Sequence, residues 1–363
     1  MSRSITILND YPAHVGITEY ALGLFENLRN HGYNVNFVQW VPSEPRNPYP
    51  SCGTVIRSKV AAIEHSPEVG FILGDNWRAL RAVDGDIIHA SSQSLAQLAK
   101  YFGRRFVVTL HDVCYLSHLG NSLLMSLYYI RQYYRLNDTM NIVTDSAYTA
   151  SRAVAGLGLS PQKTKVVHNS IDLRAFRPRT SGEYAASLGQ EGDFLMLHVG
   201  YDAPTKNLQI LLRALAKLPA HFKLVRVGAS SRRFMRLAHH LGVSSRVIHL
   251  SNLSQYDLRS VYWAADTLVY PSTCEGFGRP VVEAMACGTP VIASNRSSLP
   301  EVVGDAGLLV DVSDERGLIE AVTRLAGSDL GKYLRVKGFE RAATFSADIQ
   351  MGQLRSAYDS FNL

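Results

Sequence analysis

The sequence predicts an α/β protein built from two doubly wound parallel sheets. Three observations carry that expectation. At 363 residues the chain exceeds what one ordinary hydrophobic core organises. Short apolar runs alternate with longer stretches of helical periodicity, as in strands joined by crossover helices. The alternation stops once, in the polar stretch VVHNSIDLRAFRP ending at Pro178, and then resumes.

In the first half the strand candidates are ITILN, VNFVQW, DIIHAS, RFVVTLHD and NIVTDS. Between the first two, ITEYALGLFENLRNHG repeats apolar residues at helical spacing and stops at Gly32. The segment from Val41 to Gly53 holds four prolines and reads as a loop. In the second half DFLMLHVG, FKLVRVG, RVIHLS, TLVYPS and PVIAS read as strands. NLQILLRALAKL, FMRLAHHLG, DLRSVYWAA and PVVEAMACG read as helices between them. FSADIQMGQLRSAYDSFNL reads as one amphipathic helix with no strand after it. The expected domains are 1–172 and 173–344, with helix 345–363 packing back on the first.

Composition narrows the function classes. Hydrophobic content of 46% against 19% charged residues describes a soluble globular chain. No apolar run approaches the ~20 residues that span a bilayer. The start, SITILND, reads as a first core strand rather than a secretory signal. Cys52, Cys114, Cys274 and Cys287 show no metal-ligand spacing, and four thiols in so long a chain point to a reducing cytoplasm. The net charge is +6, with 15 basic against 12 acidic residues through Ser170 and 22 against 19 after it. That spread fits mild attraction to anionic surfaces and no nucleic-acid stripe.

Open parallel sheets bind ligands beyond the carboxyl ends of their strands. The polar signals fall there: Asp10 to Gly16, Thr109 to Asp112, Gly200 to Asn207, and Glu275 to Glu283. In CEGFGRPVVEAMACGTPVIAS, strand TLVYPS feeds a turn in which Gly276 and Gly278 let backbone amides approach a ligand. Pro280 suits the first position of the next helix, whose free N–H groups attract anionic oxygens. Glu275 would repel phosphate but accept bonds from hydroxyls, and Glu283 suits a first helical turn. Together they can bracket a molecule with hydroxyls at both ends and phosphate between, such as a nucleoside diphosphate sugar. The plainer alternative makes Glu283 a helix-dipole partner and Glu275 a loop charge.

Glu275 to Glu283 resembles the Glu-x7-Glu motif of retaining glycosyltransferases of the GT-B fold, family four of their classification. HVGITEYALGLFENLRNHGYNV looks like the family's glycine loop and first helix, VVTLHD like its His-Asp segment, and VVHNSID like its interdomain segment. VGYDAPTKNL looks like its phosphate loop, and ASNRSSLPEVVGDAGLLVD is most similar to the mannosyltransferase branch. The resemblance covers nearly the whole chain. It implies two Rossmann-like domains facing across a cleft, and a hexosyltransferase of the 2.4 class that needs neither metal nor resident cofactor. The donor would be a GDP- or UDP-sugar, GDP-mannose included. The acceptor would be a glycan or lipid-linked glycan, and the setting cytoplasmic, open to contact with the inner membrane face.

Carried over by position, Glu275 would bind donor sugar hydroxyls and Glu283 the ribose hydroxyls. Gly276, Phe277 and Gly278 would touch sugar and diphosphate. Lys206 would neutralise the diphosphate, Gly16 would let a loop approach it, and His111 would face the hexose. Catalytic roles thus fall on His111 and Glu275. Two departures stand out. The arginine usual in the phosphate loop is replaced by Tyr201 or Thr205, and Arg279 occupies a position where the family often has Leu. Arg279 is therefore a candidate for the missing charge, with a solvated loop-edge arginine as the alternative. The Asn-Asp of LNDYPAH replaces a Pro-Gly-rich entry.

Three further readings stay open. His111 reads either as a core histidine or as a functional one, and Asp112 and the strand end favour the second. Segment 121–137 is aromatic and basic, with Leu124, Leu127, Tyr128 and Arg131 at helical spacing, suiting either a membrane surface or ordinary packing. His14, in the glycine loop, is a candidate toward the acceptor. Two other functions fit the same fold class: a non-catalytic binding subunit and a dinucleotide oxidoreductase. The latter lacks G-x-G-x-x-G after the first strand.

Overall fold

The computed structural model describes residues 3–9, 16–41, 54–57, 83–114, 133, 136–137, 140–181, 183 and 187–363. They form two compact units, Met1–Asn169 with Asp348–Leu363, and Ser170–Ala347. The glycine-loop residues Asp10 and His14, the proline-rich loop after Val41, and nearly all of segment 121–137 lie outside the described residues.

The first unit holds seven parallel strands: β1 (Ser4–Asn9), β2 (Asn34–Val41), β3 (Thr54–Arg57), β4 (Ile87–Ala90), β5 (Phe106–Leu110), β6 (Asn141–Thr144) and β7 (Thr164–Val166). Their order is β3-β2-β1-β4-β5-β6-β7, so the winding reverses between β1 and β4. Helix α1 (Gly16–Asn30) buries Tyr20, Ala21, Leu24, Phe25 and Leu28, the apolar stripe that its sequence spacing provides. It gives way to Gly32, at φ 80°, where only glycine is at ease. Helix α2 (Ala147–Leu157) is capped by Ser146, whose side chain accepts from the Thr149 N–H, and ends at Gly158 in the left-handed region.

The second unit holds β8 (Phe194–Val199), β9 (Phe222–Val227), β10 (Val247–Leu250), β11 (Thr267–Tyr270), β12 (Val291–Ser294) and β13 (Gly307–Val310). They are parallel in the order β10-β9-β8-β11-β12-β13, reversing between β8 and β11. Its main helices are α3 (Leu208–Lys217), α4 (Arg232–His240), α5 (Gln255–Ala264), α6 (Arg279–Cys287), α7 (Glu315–Ala326) and α8 (Leu330–Ala343). The last helix, α9 (Ala347–Ser360), belongs to the first unit. Its Met351, Leu354, Ala357 and Tyr358 share a core with Ile5, Ile7, Leu24 and Val107.

The sheet centres match the apolar runs, but β3, β7 and β13 are strands that the sequence reading lacks. All three are sheet edges. An edge strand need not be buried on both faces, so TVIR, TKV and GLLV carry no long apolar run to mark them. Helices α2, α7 and α8 are likewise additions. No helix among the described residues is long and apolar enough to cross a membrane. Cys287 is a buried free thiol, whereas Cys114 and Cys274 are not free. The reading of all four cysteines as thiols therefore does not hold for those two.

Candidate active site

The strongest polar cluster of the second unit sits where its winding reverses, beyond the ends of β8 and β11. After β8 the chain turns through Gly200 and one 3-10 turn, Pro204–Lys206, before α3 begins at Leu208. Asn207 takes the left-handed conformation (φ 51°), and its side-chain amide donates to the Val312 carbonyl at 2.8 Å. This geometry turns Lys206 inward, where it is only 7% exposed. Its ammonium donates to Glu275 Oε1 at 2.6 Å and to the Tyr270 hydroxyl at 2.9 Å. Burial alone would lower the lysine pKa, but the Glu275 carboxylate and Tyr270 outweigh it and hold the group well above its ordinary value. Burial raises the Tyr270 phenol, and Glu275 adds to that shift.

The turn after β11 is pinned from two sides. The Thr273 N–H donates to the Thr205 carbonyl at 2.7 Å, joining this turn to the Lys206 loop. The Glu275 N–H donates to Ser297 Oγ at 2.9 Å, and the Ser298 hydroxyl donates to the carbonyls of Glu275 and Phe277. Phe277 is buried, edge-on to Phe345. Gly278 sits at φ 107°, and a Cβ there would meet the Leu299 side chain at 2.8 Å, so glycine is required on both counts.

One turn into α6, Glu283 is buried at 6% exposure and accepts from the Tyr262 hydroxyl at 2.9 Å. Burial, then Glu283, raises the Tyr262 phenol, and the same two causes push the nearby Cys287 thiol up to about 12. Arg279 is the first residue of α6, and its Nε lies 3.7 Å from Glu283 Oε1. The structure thus joins Lys206 with Glu275 and Arg279 with Glu283.

Beneath the Lys206 loop lie two polar residues without a sequence-based role. His198 and Arg226 are register partners on β8 and β9, each fully buried. The His198 ring stacks on Tyr270 with centroids 5.6 Å apart, and neither ring nitrogen has a hydrogen-bond partner among the described residues. Burial, then the Arg226 and Lys206 charges, holds its pKa well below the ordinary value, so the ring is neutral. Arg226 donates to the carbonyls of Val227 and Ala229 and so ties down the turn at Gly228. A Cβ on Gly228, at φ 114°, would run into the Gly200 carbonyl oxygen. A histidine and an arginine inside FLMLHV and FKLVRV were the available signal, since a polar residue in a doubly buried strand demands a reason.

The first unit gathers a different set beyond β4, β5 and β6. His111 Nδ1 donates to Asp145 Oδ2 at 2.7 Å and Nε2 donates to the Ser91 carbonyl at 2.6 Å. Two acceptor-only partners require a proton on each nitrogen, so the ring is an imidazolium. Burial works against that charge, but Asp145, the Ser91 carbonyl and Asp112 together keep the pKa above the ordinary value. Asn169 donates its amide to Asp145 Oδ2 at 3.2 Å. Behind the ring, His89 bonds Tyr358 and Thr109, and the Tyr20 and Thr109 hydroxyls lie 3.1 Å apart. Burial, then His111, holds the His89 pKa down to about 3. Gly16, the opening residue of α1, is exposed, and a Cβ there would meet nothing within 4 Å.

Comparison with known proteins adds to this geometry. Residues 182–336 match the family model "Glycosyl transferases group 1", and residues 15–175 match "Glycosyltransferase Family 4". D-inositol 3-phosphate glycosyltransferase of Mycobacterium tuberculosis (strain ATCC 25618 / H37Rv) is 31% identical over 243 residues, 62% of this chain and 51% of that protein. The Mycobacterium bovis protein of the same name (strain BCG / Pasteur 1173P2) matches equally. The chain spans about half the length of the curated relatives it matches. Among solved structures, Anabaena HepE in complex with UDP and glucose superposes with a TM-score of 0.79 at 20% identity, covering 99% of this chain and 100% of that one. Sucrose-phosphate synthase from Thermosynechococcus elongatus gives 0.80 at 21% identity, covering 99% of each chain.

Proposed function

Because the chain belongs to glycosyltransferase family 4 and has the GT-B fold, we propose that it is a retaining hexosyltransferase using a nucleotide-sugar donor. The sugar is of mannose or glucose type, carried on GDP or UDP, and the acceptor is a hydroxyl of a glycan or lipid-linked glycan. The observation that carries this reading is the buried pair of Lys206 and Glu275 at the reversal of the second sheet. A donor sugar presents both halves of what that pair lacks. Its diphosphate is the anion for Lys206, and its ring hydroxyls are the donors for Glu275.

In this reading Glu283 holds the ribose hydroxyls, with Arg279 steadying its carboxylate. Gly276, Phe277 and Gly278 contact sugar and diphosphate. The bond from the anomeric carbon to the diphosphate oxygen breaks. A bond to the acceptor oxygen forms on the same face, and the acceptor proton passes to the departing phosphate. No side chain need be a strong base. His111, as an imidazolium with both nitrogens engaged, serves as a fixed charge rather than a proton carrier. Charge on the leaving group is met by Lys206, helix amides and the buried Arg226 beneath the loop.

The test is a thermal-shift series over UDP-, GDP-, ADP- and dTDP-sugars. One nucleotide should stabilise the protein, and its sugar should then be transferred or slowly hydrolysed. Stabilisation without any transfer or hydrolysis would leave a binding subunit instead. Activity should persist in excess EDTA. Loss under chelation that manganese or magnesium restores would overturn the metal-independent part.

A further inference from the structure

Counted by halves, the positive charge looks evenly divided, but that count conceals a run. Residues 203–256 hold nine Lys and Arg and no Asp or Glu. The other 309 residues hold 28 basic against 31 acidic residues, a net charge of −3. The excess charge of the molecule therefore lies in one stretch.

The fold sets four of the nine, Arg213, Arg232, Arg233 and Arg236, exposed on two neighbouring helices. Helices α3 and α4 pack on each other over a shared core of Leu208, Leu211, Leu215, Phe234 and Ala238. Within α4, Phe234 and Ala238 are buried and Leu237 is half-buried. Every exposed position is Arg232, Arg233, Met235, Arg236, His239 or His240. Arg213 adds a further exposed guanidinium from α3. Lys217 and Lys223 are answered by Glu315 and Asp193, but no ion pair meets Arg213, Arg232, Arg233 or Arg236 among the described residues. An ordinary solvated helix mixes both signs of charge. This one does not, and Met235 stands 45% exposed among its cations.

We propose that the α3–α4 face docks on an anionic lipid surface. Unpaired guanidinium groups meet lipid phosphates and carboxylates, while the flexible, apolar Met235 enters the boundary between headgroups and acyl chains. The exposed methionine favours a bilayer over nucleic acid, since α4 presents no aromatic side chain on which a base would stack. Docking does not depend on the transferase reading.

Sedimentation of the full chain with vesicles tests it. Vesicles of phosphatidylcholine with 30% phosphatidylglycerol should bind the protein and pure phosphatidylcholine should not. Raising NaCl from 0.05 to 0.5 M should release it. The triple variant Arg232→Gln, Arg233→Gln, Arg236→Gln should weaken partition by roughly 100-fold, at a severalfold loss per arginine. Met235→Ser should weaken it severalfold. A control triple with the same charge change elsewhere, Arg316→Gln, Arg324→Gln, Lys332→Gln, should bind like wild type. Circular dichroism and an unchanged melting temperature establish that each variant is folded. Equal loss in both triples, no binding by wild type, or tighter binding to a 20-nucleotide RNA than to the vesicles would overturn the proposal.

Discussion

The two units place polar clusters at equivalent positions, beyond the strand ends of a doubly wound sheet, and settle them in opposite ways. In the first unit His111 has both nitrogens committed, to Asp145 and to the Ser91 carbonyl, and Asn169 backs the same carboxylate. In the second, Lys206 and Glu275 answer each other, while beneath them both His198 ring nitrogens and Arg226 Nε have no partner among the described residues. The first cluster pairs its cation with a carboxylate of the same unit, and the atoms it leaves without a partner among the described residues are acceptor oxygens, Asp145 Oδ1 and Asn169 Oδ1. The second holds Lys206, paired with Glu275, above one further buried cation, Arg226, and in the proposed reading a diphosphate meets both charges. The difference teaches where to look for the donor.

The largest effect that would break this contrast is at Lys206. Removing one partner of a buried ion pair leaves the other charge uncompensated, at a cost of about 3–5 kcal/mol. Lys206→Ala should therefore lower the unfolding free energy and abolish nucleotide binding together. Lys206→Met with Glu275→Gln should recover most of the stability, because no buried charge is stranded, but none of the binding. If the double variant still binds nucleotide in calorimetry, the donor does not use this pair.

Next in size is Glu283→Ala. Loss of hydrogen bonds to a charged group costs about 1.5–3 kcal/mol, and in the proposed reading that loss falls on the ribose. Affinity for the nucleoside diphosphate should drop by that amount, while affinity for inorganic pyrophosphate stays as in wild type. An unchanged nucleotide affinity would return Glu283 to the role of a buried partner of Tyr262.

The His111 cluster has its own signature in pH. The folded pKa of His111 lies above its unfolded value of about 6.5. Its contribution to stability is therefore complete below about 6.5 and is lost as pH rises through the folded value. Asp145→Asn removes the ionic partner. The melting temperature of wild type should exceed that of Asp145→Asn most at pH 6, and the gap should narrow toward pH 9. A gap independent of pH would mean that His111 is neutral and the cluster is not charged.

How much of this was legible depended on burial. The central strands announced themselves because both faces are covered, so FVVTL and TLVY are unbroken apolar runs. The edges β3, β7 and β13 gave no such signal. Glu275, Glu283 and Lys206 were legible because glycine, proline and charge punctuate the ends of strands. Tyr270, Tyr262, Asp145 and Asn169 were not, because a tyrosine inside an apolar run or an aspartate after NIVT reads as ordinary sequence until the fold brings its partner. Nor could spacing say that Arg279 would face Glu283, which depends on where α6 begins.

That last contact sets the smallest prediction. The phosphate loop lacks its usual arginine, and Arg279 was the nearest candidate in sequence to replace the charge. The structure gives it a partner along its own helix, at 3.7 Å and with about a quarter of the side chain exposed. Partly exposed pairs along one helix contribute ~1 kcal/mol or less. Arg279→Leu should therefore lower kcat/KM by less than about 1 kcal/mol in transition-state terms, through a looser Glu283. Introducing Thr205→Arg should not correct it, because a guanidinium in the loop does nothing for a carboxylate on α6. A loss of about 1–3 kcal/mol that Thr205→Arg does correct would instead put the Arg279 charge on the diphosphate. It would also narrow the contrast between the units, since the second would then hold its missing cation in plain sight rather than buried at Arg226.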